Sequence, residues 1–192
     1  TVTIFDTAGY QIDYEFDENK IRAERGMTRR VTNDDNYRPR RAQEAVRDLV
    51  ARVKECAPLL VGVSLVEPTY TIGRRLMRAL KRQYPQLPIV AGGVFPTLNP
   101  DLVIREDAVD IVCRGEGEQP FVELCRRAVA GRSYHDIAGL WVKRGRRVHR
   151  NRFAEAVDLD GLPFPDYDEF DPRLMYKPMR GKLRKMVNII TS

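Results

Sequence analysis

Three short runs in this chain carry side chains with chemistry in them: Ser64-Leu65-Val66, Gly92-Gly93-Val94 and Gly115-Glu116-Gly117-Glu118. A serine hydroxyl at the end of an apolar strand, followed by open backbone N–H groups, can hydrogen-bond a ligand side chain or a phosphate. Adjacent glycines have no Cβ, so a flat or bulky ligand can lie against their backbone. Pro96 stiffens the loop after the glycines, and Thr97 either caps the next helix or touches the ligand. Glu67 and Thr69 follow the serine run; both can face a ligand, and helix capping explains Thr69 equally well. Gly115 and Gly117 let backbone approach a bound group. Glu116 and Glu118 would repel a phosphate, so they accept from ribose or amide groups or favour the start of the following helix. Taken singly, each run is a weak signal, and Gly-Gly after a strand is usually a plain turn.

Residues for metal or nucleophilic chemistry are sparse. Cys56, Cys113 and Cys125 are odd in number, far apart and without a Cys-x-x-Cys pair, which indicates neither a disulfide framework nor a zinc site. Cys113 and Cys125 read as buried free thiols. His135 and His149 are the only imidazoles; neither falls at a strand's carboxyl end, and both read as solvated surface. No catalytic residue and no metal ligand is assigned. Net charge is +6, from 33 Lys and Arg against 27 Asp and Glu, sorted into blocks. Residues 143–152 are basic, residues 155–171 hold seven acids and no base, and residues 173–185 hold six bases and no acid. Such blocks are solvated faces or inter-domain contacts more often than nucleic-acid sites, and no nucleic-acid motif accompanies them. No window reaches the roughly 20 apolar residues of a membrane span, and no signal-peptide pattern is present. The expectation is a cytoplasmic protein with neither a membrane nor a nucleic-acid partner.

The elements that must position the three runs can be read from apolar spacing. Val2, Ile4 and Phe5 suggest a short strand, followed by a long charged loop over residues 10–40. Ala42, Ala45, Val46, Leu49, Val50 and Val53 recur at helical spacing. Leu59 to Leu65 is apolar on both faces, as a central parallel strand is. Ile72, Leu76, Leu80 and Tyr84 mark a second helix, and Ile89 to Ala91 a strand that delivers the two glycines. Asn99-Pro100 starts a short helix, Val109 to Cys113 is a strand, and Pro120 opens a helix that Gly131 ends. Alternating strands and helices predict an α/β fold with a doubly wound parallel sheet. Residues 139–150 around Arg144-Gly145-Arg146 read as an antiparallel hairpin with Trp141 and Val148 on its buried side. Residues around Leu162-Pro163-Phe164-Pro165 read as linker.

The order VTIFD, helix, LLVGVSLV, helix, PIVAGGVFPT, helix, VDIVCRGEGE resembles the cobalamin-binding domain that precedes the barrel in cobalamin-dependent radical SAM proteins. Ser64-Leu65-Val66 stands where that family has Ser-x-Leu, with Val in the third place, and Gly92-Gly93 stands at its Gly-Gly. The GLWVKR hairpin and DLDGLPFPDYDEFD follow the family's course, so the resemblance runs from Val2 to Thr191. It implies a Rossmann-like or flavodoxin-like domain over residues 1–135 whose first strand and helix precede the chain. A hairpin extension over 136–153, a linker over 154–185 and the start of a radical SAM barrel over 186–192 complete the expected order. The chain is thus expected to be an internal piece of a longer protein.

The resemblance further implies a corrinoid over the carboxyl edge of the sheet, its nucleotide tail slotted between the Ser64 and Gly92-Gly93 strands. The implied contacts are Ser64, Leu65, Val66, Glu67, Thr69, Gly92, Gly93, Val94, Pro96, Thr97, Gly115, Glu116, Gly117 and Glu118. The implied cofactor is cobalamin, joined in the parent protein by a [4Fe-4S] cluster and S-adenosylmethionine. The implied partner is the radical SAM barrel on the same parent chain. The activity most common in the family is methyl transfer from S-adenosylmethionine; an oxidative cyclase of the anaerobic porphyrin type is the alternative within it. Two further readings stay open: a non-catalytic flavodoxin-like ligand-binding module, and a structural or regulatory domain whose glycines are only turns.

Overall fold

A computed structural model describes residues 1–7, 10–11, 24–25, 40–164, 166–168, 170, 175–179 and 182–185. The chain divides into two units, one of Thr1–Ala45 with Pro163–Ser192 and one of Val46–Leu162.

In the first unit, β1 (Tyr10–Gln11) pairs parallel with β2 (Arg40–Arg41). The strand expected at Val2–Phe5 is absent: residues 1–6 have no regular structure, and Val2 is three-quarters exposed. Apolar alternation selects a face but does not supply a ladder partner, and without one an extended segment is not a strand. A hairpin that the sequence did not announce, β8 (Tyr176–Met179) with β9 (Lys182–Lys185), lies within the stretch read as linker. The expected barrel start at 186–192 lies outside the described residues.

Helix α1 (Ala42–Cys56) buries Ala45, Leu49 and Val53 at four-residue spacing, and its end is marked by Ala57 at φ 42°. The second unit then carries one five-stranded sheet in the order β3 (Val61–Ser64), β4 (Ile89–Gly92), β5 (Ile111–Cys113), β6 (Leu140–Arg144), β7 (Arg147–Arg150). The first three strands are parallel and the β6–β7 hairpin is antiparallel. The hairpin therefore continues the main sheet, since Cys113 pairs with Leu140 and Ile111 with Val142. Between the strands lie α2 (Tyr70–Gln83), the short α3 (Val94–Leu98) and α4 (Pro100–Ile104), and α5 (Glu118–Val129).

β3, expected to be a central strand covered on both faces, instead lies at the edge of this sheet among the described residues, with Gly62 and Ser64 exposed. Side chains alternate between the two faces of the sheet, and α2 and α5 pack on opposite faces. On one face, a Cβ added at Gly73 of α2 would stand 2.3 Å from Leu65 Cδ2 and 3.9 Å from Val63 Cγ1. On the other, a Cβ at Gly62 would stand 3.0 Å from Phe121 Cζ of α5. The α5 face is a continuous core of Val90, Ile111, Cys113, Leu124, Ile137, Leu140 and Val142. At the amino edge Glu106 takes both ends of the Arg78 fork at 2.9 Å, and Lys81 pairs with Asp110 at 2.7 Å. These pairs tie α2 to the loop that enters β5 and leave the carboxyl edge to the three runs.

Candidate functional site

Parallel strands β3, β4 and β5 end side by side, so the loops that follow them share the carboxyl edge, where open α/β sheets take ligands. Ser64 pairs with Gly92 as the last rung of β3 and β4. The loops are then sewn together by backbone: Leu65 N–H donates to Gly92 O at 2.8 Å and Phe95 N–H to Leu65 O at 3.1 Å. Gly93 lies under this stitch at φ 97°, and a Cβ there would meet Leu65 O at 2.8 Å. Its glycine is thus required by the joint itself, since a side chain would clash and an L-residue is strained at that φ.

Thr97 ties the second loop to the third. Its hydroxyl donates to Gly93 O at 2.9 Å and accepts from Gly115 N–H at 3.0 Å. Thr69 is likewise engaged: it accepts from Val66 N–H and donates to Val66 O, both at 3.0 Å. That closes a 3₁₀ turn over Glu67–Thr69, directly ahead of α2, and Thr69 makes no side-chain cap on α2 itself. The stretch Val94–Leu98 forms α3 where a loop was expected, with Pro96 buried in it. Leu65 is 1% exposed and belongs to the core under α2.

The remaining runs face outward. Ser64 is exposed and its hydroxyl makes no hydrogen bond among the described residues, although it lies 3.2 Å from where a Gly93 Cβ would be. Val66, two residues on, and Val94, at the start of α3 after β4, are exposed apolar side chains. Glu67, Glu116 and Glu118 are exposed carboxylates, and Gly117 precedes the first turn of α5. On the α5 face, Ser64, Gly92 and Cys113 follow Gly62, Val90 and Ile111 toward the edge, so side chains there are small. Burial, then the Glu118 carboxylate, push the Cys113 thiol up to about 11, which favours its neutral form at neutral pH.

Sequence reasoning did not find the support beneath the third loop. The Arg114 guanidinium, one residue before Gly115, lies 3.9 Å from the Phe153 ring centre and 4.6 Å from that of Trp141. Arg150 covers Trp141 at 4.9 Å and bonds Asp101 at 2.7 Å. Arg114 Nε and Trp141 Nε1 are buried without hydrogen-bond partners, a cost that cation–π contact offsets. The register would have hinted at it, because Trp141 faces Val112 and so shares a sheet face with Arg114. A hollow of about 230 Å³ lined by Gln119, Pro120, Glu123, Ile137, Ala138, Arg152, Ala154 and Glu155 includes none of the three runs. It is shallow and open, so the convergence of three strand ends is the better guide to the site. His135 and His149 stack edge to face at 5.4 Å, with Ser133 Oγ 2.9 Å from His135 Nδ1. Neither is among the three runs, and no group of three or more His, Cys, Asp and Glu could hold a metal among the described residues. No helix among them is long and apolar enough to cross a membrane.

Known proteins resemble the chain over this same region. The family described as the B12 binding domain matches residues 26–125. An uncharacterized methyltransferase, PH0819, of Pyrococcus horikoshii is 29% identical over 123 residues, 63% of this chain and 27% of that protein. The anaerobic magnesium-protoporphyrin IX monomethyl ester cyclase of Synechocystis sp. is 29% identical over 127 residues, 65% of this chain and 23% of that protein. The chain thus spans about a quarter of the length of these curated relatives. Among solved structures, the radical S-adenosylmethionine methyltransferase TsrM of Kitasatospora setae, with cobalamin and a [4Fe-4S] cluster bound, superposes with TM-score 0.51 at 23% identity. That match covers 56% of this chain and 22% of TsrM. The cobalamin-dependent S-adenosylmethionine radical enzyme OxsB, with aqua-cobalamin and S-adenosylmethionine bound, gives TM-score 0.52 at 16% identity, over 60% of this chain and 16% of OxsB. Both show the same α/β fold.

Proposed function

Because the chain belongs to the B12-binding domain family, we propose that it is the cobalamin-holding portion of a radical SAM enzyme that transfers methyl groups from S-adenosylmethionine. In this reading the barrel and its [4Fe-4S] cluster are carried on the same parent chain. The observation that carries the site is the Ser64 hydroxyl, without a hydrogen-bond partner among the described residues, at the β3–β4 rung whose other member, Gly92, has no side chain.

These residues fit a corrinoid with a flat-based nucleotide tail. When bound, cobalamin supplies a cobalt centre competent for methyl transfer. Ser64 donates to the tail, and Gly92 leaves the sheet face bare for it. Val66 and Val94, 45% and 62% exposed, offer apolar rests for the macrocycle. Glu67, Glu116 and Glu118 accept from its peripheral amide N–H groups, and Gly115 and Gly117 let the third loop come close. Leu65, Thr69, Gly93, Pro96 and Thr97 act on the ligand only by fixing the loops.

Methyl transfer is supported by the Pyrococcus relative's name and by TsrM. The Synechocystis cyclase, matched at the same identity, favours ring closure as the second reading. An assay of the parent protein separates them, since a product heavier by a methyl group excludes simple cyclisation. For the chain itself, the test is incubation with hydroxocobalamin followed by desalting. Corrinoid absorbance should co-elute at about one equivalent per chain; a colourless eluate would leave a non-catalytic flavodoxin-like module as the better reading.

A further inference from the structure

The α5 face of the sheet changes character between two successive rungs. At the inner rung, Gly62 beside Val90, the Phe121 ring lies directly on the strand: a Cβ at Gly62 would stand 3.0 Å from Phe121 Cζ and 3.2 Å from Cε2. At the outer rung, Ser64 beside Gly92, a Cβ at Gly92 would find within 4 Å only Cβ and O of Cys113, and no atom of α5. The Phe121 ring thus reaches β3 at Gly62, which stays exposed on the open flank of that edge strand, whereas α5 stands off the sheet at Gly92. Its start, at Gly117, returns only to the neighbouring strand, where a Cβ would come within 3.9 Å of Cys113 Sγ.

We propose that Phe121 is the floor of the tail slot and sets how far a flat base can enter between the sheet and α5. The inference rests on the corrinoid reading of this edge. Two residues of strand separate the rungs, roughly 7 Å, which is comparable to the long edge of a fused bicyclic base. Such a base lies against the bare backbone at Gly92, meets the Ser64 hydroxyl and stops on the Phe121 ring. Gly62 is the matching half of the device. A side chain there would lift the ring from the strand and push it toward the outer rung, so the glycine in the middle of β3 serves slot depth. Phe121 is half-buried and packs on the core formed by Val90, Ile111 and Leu124, so that core fixes its height.

The test compares hydroxocobalamin with dicyanocobinamide, which has the macrocycle but no nucleotide base. Equilibrium dialysis of the full 192-residue chain is run for wild type, Phe121→Trp and Gly62→Ala, with Phe121→Leu as the milder variant. Circular dichroism verifies that each is folded. Raising the floor with Phe121→Trp or Gly62→Ala should weaken cobalamin by tenfold or more and leave cobinamide within twofold of wild type. Phe121→Leu, which lowers the floor, should weaken cobalamin by less than threefold. Equal losses for both corrinoids, or wild-type cobalamin affinity in the two raised-floor variants, would overturn the inference while the corrinoid reading stands. If wild type retains neither corrinoid, the reading of the edge fails and the floor fails with it.

Discussion

Ser64 and Thr97 belong to neighbouring loops and both carry a hydroxyl, yet the structure gives them opposite work. Thr97 is engaged by Gly93 O and Gly115 N–H, whereas Ser64 has no partner among the described residues. Removing a hydroxyl that bonds only the ligand should cost binding and spare the fold. Ser64→Ala is therefore expected to weaken hydroxocobalamin by roughly 3- to 10-fold, the worth of one neutral hydrogen bond of about 1 kcal/mol. Thermal unfolding without ligand should shift by less than about 0.5 kcal/mol. Cys113 gives a second residue-scale expectation. Its folded-state pKa, about 11 against an ordinary 9.0, means the folded chain holds the thiol proton more tightly than the unfolded one. Its stabilising effect is complete below pH 9 and is lost as pH rises through 11. Urea titrations from pH 8 to 11 should show a smaller alkaline loss of stability for Cys113→Ala than for wild type.

At the scale of elements, apolar runs and their punctuation located β3, β4, β5 and the helices between them, because a strand is written in consecutive residues. That β3 is an edge strand with one face exposed depends on its neighbours and was not legible. The hairpin was legible for the same reason, through Arg144-Gly145-Arg146. What was not legible depends on partners distant in sequence. Val2–Phe5 has strand composition but no ladder. Val94–Leu98 coils into α3 although Gly93 and Pro96 read as loop, because Phe95 N–H is held by Leu65 O from another loop. The Phe121 seat on Gly62 and the Arg114 stack on Trp141 and Phe153 join residues dozens of positions apart. Gly73 shows such a constraint deciding a sign. At the end of the first turn of α2, Gly73→Ala should gain at most about 1 kcal/mol from helix propensity. The new Cβ would stand 2.3 Å from Leu65 Cδ2, the end of a side chain only 1% exposed, so that a buried methyl must shift, and overpacking of that kind costs about 1–3 kcal/mol. The clash should win, so Gly73→Ala lowers stability in urea unfolding. Pairing it with Leu65→Ala should then cost less than the two single losses added together.

For the whole molecule, the chain carries a single tryptophan, and it lies in the same sheet as the proposed site. Trp141 is buried on β6, paired with Val112 of β5, one residue from the strand end that opens the third loop. Corrinoids absorb where tryptophan emits, so a corrinoid seated over β3, β4 and β5 must quench Trp141 by energy transfer. The Arg114 and Arg150 cations over its ring hold it in one environment, which makes its emission a steady reference before ligand is added. Titration with hydroxocobalamin should therefore quench the emission saturably, with the same midpoint as equilibrium dialysis and after correction for inner-filter absorption. Cobinamide should quench to a similar depth, because the macrocycle is the absorber in both. Ser64→Ala should move the midpoint for cobalamin and leave the final depth unchanged. Corrinoid retained on the chain without quenching would place it away from this sheet edge, and the three loops would then be joints of the fold only.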